Sequence, residues 1–293
     1  MKSGTTLLWK LLGSHPSIYM CTPKEQSCFV EPAQLRNLQP FLWSQGYWQS
    51  QERYLQLFQS NNNELFAGEA SVYYTHLPQA TGVAERISRF NPNARLIYII
   101  RDPIERTISH YWHRVIYNYE DRSLSRAIAE DSQYCDVSYY AMQLAPYFDR
   151  FKSDQIKILT LEGLIENPNE AMKSIFLWLG LSPSITIPPV TQENLTPDIV
   201  RQRARWWSVV RRVSEKHSLL LKVINYVPEP LQQYYGARLS NRQINRRGVN
   251  IEAVVRGLRP LQRRQTEELS QLIGRDFPEW KTLNSTTSEI PRI

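Results

Sequence analysis

In the stretch Arg95-Leu96-Ile97-Tyr98-Ile99-Ile100, a continuous apolar run rich in β-branched residues follows the arginine. A run of this length suits a strand buried on both faces, as strands of a parallel sheet are. It ends at Arg101-Asp102-Pro103, and a helix is expected at once, from Ile104 to Tyr119. Strand, charged corner and helix make half of a βαβ unit. Parallel neighbours need crossover connections, so one such unit commits the chain to an α/β fold. Ligands of these sheets bind at the carboxyl ends of the strands, which is where Arg101 lies.

The rest of the chain reads consistently with that unit. A second long strand is expected at Ile156–Leu161, with shorter ones at Ile18–Met20 and Leu65–Ala70. Helices are expected near 78–90, 138–151 and 258–273, and over Ala171–Gly180 after an Asn167-Pro168 start. Residues 29–60 read as irregular helix, Ser182–Pro197 as loop, Asp198–Val227 as a basic helical stretch, and Pro228–Asn250 as irregular and basic. Trp280 is expected to tuck back onto the body. At 293 residues and 42% hydrophobic, the chain can bury a large core. The reading adopted is one domain over 1–293, with a core at 1–181 and a basic, mostly helical region at 198–281.

The first residues, Met1-Lys2-Ser3-Gly4-Thr5-Thr6, run straight into the apolar Leu7-Leu8-Trp9. A glycine permits a tight turn, Thr5 or Thr6 can cap a helix, and the free N–H groups of its first turn favour an anion. Lys2 adds a cation. The string fails the nucleoside-triphosphate pattern G-x-x-x-x-G-K-[ST], because the lysine precedes the glycine and no upstream glycine exists.

The net charge of +7 is unevenly spread. Arg201–Arg264 holds 15 Lys+Arg against 3 acids, which leaves −5 for the remainder. An anionic partner such as a nucleotide or acidic substrate follows, against the blander reading of solvated helix faces. Nucleic acid is not expected as a partner. Three cysteines cannot all pair, and no Cys/His spacing suggests a metal site, so free thiols in a reducing cytoplasm are expected. No apolar run approaches the ~20 residues of a membrane span. Trp206-Trp207 among arginines leaves a peripheral membrane contact open.

Lys2-Ser3-Gly4-Thr5-Thr6, followed after an apolar strand by Arg101-Asp102-Pro103-x-x-Arg106-x-x-Ser109, resembles the sulfotransferases that use 3′-phosphoadenosine 5′-phosphosulfate (PAPS). Three further passages are similar to the branch acting on polysaccharides: Lys24-Glu25-x-x-x-Phe29, Glu69-Ala70-Ser71-Val72-Tyr73-Tyr74, and Glu162-Gly163-Leu164 with Asn167-Pro168 and Trp178-Leu179-Gly180-Leu181. The resemblance covers residues 1–181. It implies a three-layer α/β sandwich with a central parallel sheet and a P-loop-like phosphosulfate loop. In that family a strand precedes the loop; none stands before Met1, so the sheet is expected to lack its first strand, the natural start lying upstream or the gene being truncated.

The resemblance also implies roles. Lys2, Ser3, Gly4, Thr5 and Thr6 would hold the 5′-phosphosulfate, and Arg101 and Ser109 the 3′-phosphate. Arg246 and Arg247 would close over that phosphate. Lys2 would stabilise the leaving oxygen, and Glu25 would act as general base on a hydroxyl or amine of a carbohydrate, lipid or small-molecule acceptor, without a metal. His110 and His113 follow Ser109 on one helix, so at most one faces the nucleotide. The aromatics Phe41, Trp43, Tyr47, Trp48, Tyr54 and Phe58 read as packing first and as an acceptor cleft second. Two departures stand out: Ala70 replaces a lysine of the branch, and Ser27 a histidine, which argues against a glycosaminoglycan-like acceptor. A P-loop phosphotransferase and a nucleotide-binding relic without catalysis are the alternatives.

Overall fold

The structure, a computed structural model, describes residues 1–61, 64–117, 119–184, 199–202 and 242–285. Its elements run α1 (Thr5–Leu12), β1 (Ile18–Met20), α2 (Pro32–Leu38), α3 (Pro40–Gln45), α4 (Gln51–Leu55), β2 (Phe66–Gly68), α5 (Val83–Phe90) and β3 (Leu96–Ile100). They continue α6 (Pro103–Ile116), α7 (Leu124–Glu130), α8 (Gln133–Asp136), α9 (Tyr140–Phe148), β4 (Ile156–Thr160), α10 (Leu161–Glu166) and α11 (Pro168–Trp178). After these come β5 (Ile199–Gln202), β6 (Arg242–Asn245), α12 (Glu252–Ile273) and α13 (Lys281–Asn284).

The parallel strands carry the layering. β3 pairs with β4 from Leu96 opposite Ile156 to Ile100 opposite Thr160, and β1 pairs with β2 from Ile18 opposite Phe66. The two pairs share no ladder, and no strand stands before α1 among the described residues. Side chains alternate across the β3–β4 pair, as the two-residue period of a strand requires. Leu96, Tyr98 and Ile100 join the cluster built with α5, α6, α9 and α12. Ile97, Ile99 and Leu159 join the one built with α1, α10 and α11. Both faces are therefore covered, which is why the run lacks polar alternation. Each fully buried Ile or Leu, such as Ile100, Ile104 and Leu164, contributes about 1.5–3 kcal/mol.

Helix α6 is the central support. Pro103 opens it, and Asp102 caps it through hydrogen bonds from Ile104 N at 3.0 Å and Glu105 N at 3.3 Å. Ile104, Ile108, Trp112 and Val115 are buried on it, and so is Arg106. Arg106 donates to Ser138 Oγ and to the Tyr134 carbonyl, and its Nη1 lies 3.4 Å from His110 Nδ1. Burial pushes its pKa down from the ordinary arginine range.

The C-terminal region differs from the expected helix at Asp198. Ile199–Gln202 is a strand, paired antiparallel with Arg242–Asn245, with Val200 opposite Ile244 and buried in the main cluster. Pairing with a strand distant in sequence and burial against the body override local helix preference. Trp206-Trp207 and the remainder of 203–241 lie outside the described residues. The last long helix begins at Glu252, earlier than the apolar pattern indicated, and Trp280 is fully buried, stacked on Phe277 at 4.0 Å. Asn167 sits at the N-cap position of α11 without a side-chain capping bond. Helix α5 starts at Val83 rather than near Pro78, behind Gly82 in the left-handed region.

Candidate active site

The first residues turn directly into α1, with one difference from the sequence reading. Gly4 itself is the N-cap of α1, at φ 84°, and neither Thr5 nor Thr6 caps the helix through its side chain. The two threonines occupy the first helical turn instead. A Cβ on Gly4 would meet Leu161 Cδ1 at 2.5 Å. Glycine is thus required twice, by backbone conformation and by space. Lys2 also lies in the left-handed region, at φ 63°, and Ser3 is buried beneath the turn.

Three cations named from sequence converge here. The Lys2 ammonium is pushed below the usual lysine range, first by burial and then by Arg101 and Arg246. A half-buried ammonium that feels two guanidinium charges favours an anion. Arg246 follows β6 in a short turn and sits over the Trp112 ring at 5.6 Å. β5 packs on α6, and its antiparallel partner β6 leads directly into Arg246. Ser109 is buried on α6, and its hydroxyl has no hydrogen-bond partner among the described residues. The side chain of Arg247 lies outside what the structure describes. His113 is held neutral, its pKa pushed down to about 4 by burial and then by Lys2. Of the two histidines it is the one coupled to the loop. His110 is buried against Arg106 and Tyr134.

Arg101 is fixed at both ends. Tyr140 Oη accepts from its N–H at 3.3 Å and donates to its carbonyl at 2.7 Å. Its guanidinium donates to Glu105 Oε2 at 2.8 Å. The next N–H, of Asp102, donates to Glu162 Oε1 at 2.9 Å. Burial pushes the Glu162 carboxyl up to about 7, and that of Asp102 up to about 6.

The carboxylate named as base lies on the same side. Lys24 Nζ donates to Thr5 Oγ1 at 3.2 Å and is ion-paired with Glu25 Oε1. Glu25 Oε2 accepts from Val72 N at 2.8 Å, and Glu25 N donates to Ala70 O at 3.0 Å. The loop after β1 is thereby zipped to the loop after β2, with Glu25 at φ 71° and Ser27 at φ 54°. Two non-glycine residues in the left-handed region, at a cost of about 1 kcal/mol or more each, are the kind of strain that concentrates at functional sites. The single Lys24 ammonium thus touches both Thr5 of the loop and the Glu25 carboxylate. Glu69 is held by Tyr54, Tyr74 and Ser71, at 2.7–3.1 Å.

Sequence reasoning did not assign roles to Lys24, Arg106 or Glu162, although all three stand inside the quoted motifs, and it missed Thr282, for which no local signal exists. Of the aromatics, Trp43 and Trp48 stack on each other at 5.7 Å, and Tyr54 packs edge-on against Phe29, Phe58 and Phe90. Tyr47 instead lines an open groove of about 530 Å³ with Tyr19, Thr22, Pro23, Glu52 and Arg53, beginning two residues before Lys24. Much of the C-terminal positive charge is internally engaged: Arg256 with Glu252, Arg264 with Glu268, and Arg259 and Arg263 with backbone carbonyls. The three cysteines form no disulfide. Among the described residues no group of three or more His, Cys, Asp or Glu is placed to hold a metal, and no helix is long and apolar enough to cross a membrane.

Comparison with known proteins agrees with this geometry. Residues 201 long in alignment are 27% identical to the human bifunctional heparan sulfate N-deacetylase/N-sulfotransferase 2, covering 62% of this chain and 21% of that protein. The membrane-associated sulfotransferase kil1 of Dictyostelium discoideum is 32% identical over 112 residues, covering 38% of this chain and 21% of it. The matched stretches thus span about a fifth of these relatives. The crystal structure of a sulfotransferase from Alicyclobacillus acidocaldarius superposes with a TM-score of 0.65 at 22% identity, over 96% of this chain and 95% of that one, and so shares its fold. The model of the sulfotransferase family matches residues 1–184, the whole stretch that carries the loop, the base and the Arg101 corner, and the chain belongs to that family.

Proposed function

We propose that the chain transfers a sulfuryl group from PAPS to a hydroxyl or amine acceptor. The observation that carries this reading is the convergence of Lys2, Arg101 and Arg246 on a glycine-dependent loop, with Glu25 joined to the same loop through Lys24. The residues suit the donor's chemistry: a glycine-capped helix start beside Lys2 for one anionic end, and the Arg101 guanidinium at the carboxyl end of β3 for the other.

In the proposed step, Glu25 takes the proton of the acceptor O–H or N–H. The acceptor atom forms a bond to sulfur as the bond from sulfur to the donor's 5′-phosphate oxygen breaks. The electron pair leaves with adenosine 3′,5′-bisphosphate. Lys2, Lys24, the threonine hydroxyls and the first-turn N–H groups of α1 stabilise that growing charge. Sulfuryl transfer, like phosphoryl transfer, asks mainly for positioning and charge neutralisation. Arg101, Ser109 and Arg246 hold the 3′-phosphate. Lys24, ion-paired to the base before reaction and bonded to Thr5, lowers the cost of moving charge between the two.

The groove beside Thr22 and Pro23 is the proposed acceptor side. Tyr19 and Tyr47 offer ring faces, and Glu52 and Arg53 offer polar groups, a lining suited to a glycan. Three unpaired thiols suit a reducing compartment, and the cytoplasm is the proposed location. Titration calorimetry tests the donor. Micromolar binding of adenosine 3′,5′-bisphosphate, lost in Arg101→Ala, is expected; preference for ATP with Mg²⁺ overturns the reading. With an acceptor found by screening against labelled PAPS, Glu25→Gln is expected to lower kcat by about 10²–10⁴ while keeping nucleotide binding.

A further inference from the structure

The C-terminal segment reaches the anion-site arginine through one carboxylate. Thr282 Oγ1 donates to Glu105 Oε1 at 2.8 Å, and Glu105 Oε2 accepts from Arg101 Nη2 at 2.8 Å. Thr282 is fully buried, so its hydroxyl has no solvent to turn to. The segment itself is firmly seated. Leu283 N donates to Asp102 Oδ2 at 2.9 Å, and Arg259 and Arg263 of α12 bind the Thr282 and Leu283 carbonyls at 3.0 and 3.2 Å. Buried Trp280 anchors it against Phe277 and Tyr140. This contact comes from outside residues 1–184, the part of the chain the family pattern covers.

The long Arg101 side chain is repelled by the Lys2 ammonium with which it interacts. An i,i+4 carboxylate in water holds such a side chain only weakly, because both partners are free to move. Here the carboxylate is pinned on its far oxygen by a buried hydroxyl on a fixed segment. The pair with Arg101 is therefore preset, and the other guanidinium N–H groups of Arg101 remain for a phosphate.

We propose that Thr282 is a positioning residue for the donor's 3′-phosphate, acting through Glu105 on Arg101. The proposal rests on the reading of Arg101 as the 3′-phosphate ligand. The test compares binding of adenosine 3′,5′-bisphosphate with binding of adenosine 5′-monophosphate, which lacks the 3′-phosphate, using the full chain. Thr282→Val is expected to weaken the bisphosphate about tenfold, or 1.4 kcal/mol, and to leave the monophosphate within twofold. Thr282→Ser, which restores the hydroxyl, is expected to restore wild-type binding. Unchanged bisphosphate affinity in folded Thr282→Val, or equal losses for both nucleotides, overturns the relay. Should Thr282→Val fail to fold, Glu105→Gln decides by sign. Loss of positioning lowers the preference for the bisphosphate, whereas simple removal of a negative charge beside the site raises it and refutes the proposal. A wild-type chain that binds both nucleotides alike sinks the donor reading itself, an outcome distinct from failure of the relay.

Discussion

Gly4→Ala tests the loop geometry without reference to any substrate. Gly4 sits at φ 84°, and a left-handed alanine costs about 1–2 kcal/mol. The new methyl would also lie 2.5 Å from Leu161 Cδ1 and 3.6 Å from Ile99 Cδ1. The first distance falls about 1 Å inside ordinary carbon contact. Leu161 leaves β4 directly into α10 and packs in the cluster on that face, so its side chain moves only by disturbing its neighbours. Overpacking of this kind costs about 1–3 kcal/mol. The sum, roughly 2–5 kcal/mol, corresponds to a fall in melting temperature of about 4–10 °C for a chain of this size. Denaturant unfolding and calorimetry measure it. The steric part separates from the strain by adding Leu161→Ala. The double variant is expected to be less destabilised than the sum of the single ones by about 1–3 kcal/mol. Additivity within about 0.5 kcal/mol refutes the clash, and a Gly4→Ala chain that melts like wild type refutes both parts.

Other expected outcomes bear on separate parts of the site. Burial raises the Glu162 carboxyl from 4.5 to about 7. The unfolded chain therefore loses that proton first, and the group's contribution to stability, complete below pH 4.5, is lost as pH rises through about 7. The stability of Glu162→Gln relative to wild type should increase from pH 4.5 to 7.5 by roughly 3 kcal/mol and then level; a pH-independent difference in urea midpoints rejects the buried carboxyl. Arg106→Ala removes the guanidinium from Ser138 Oγ, Thr107 Oγ1 and the Tyr134 carbonyl, which keep their bonds to one another and to Pro103 O. The lost bonds and the cavity left in the core should cost about 2–5 kcal/mol by denaturant unfolding, and a loss under 1 kcal/mol contradicts the network. Lys24→Met should lower kcat at least tenfold while adenosine 3′,5′-bisphosphate still binds; transfer at the wild-type rate removes Lys24 from the reaction.

The parts legible in sequence were those encoded locally. A continuous apolar run marks β3, since a strand covered on both faces needs no polar alternation. The Asp102-Pro103 corner marks the start of α6 because a cap and an N1 proline act within one turn. Gly4 marks the loop because only glycine takes its conformation without strain. The roles of Lys2, Arg101 and Ser109 come from the resemblance these motifs carry and belong to the proposed function. Tertiary structure decided what depends on contacts between distant residues. Lys24 meets Thr5 across 19 positions, and Thr282 meets Glu105 across 177. β5 forms where local preference suggested helix, and its partner β6, distant in sequence, leads into Arg246, which interacts with Lys2. The basic C-terminal third was visible as charge, but not that two of its arginines, Arg259 and Arg263, bind the Thr282 and Leu283 carbonyls. Composition and periodicity report a residue's preference for water, turn or strand. Which anion, carboxylate or hydroxyl it finally meets is set by chain closure, after hydrophobic burial has chosen the packing.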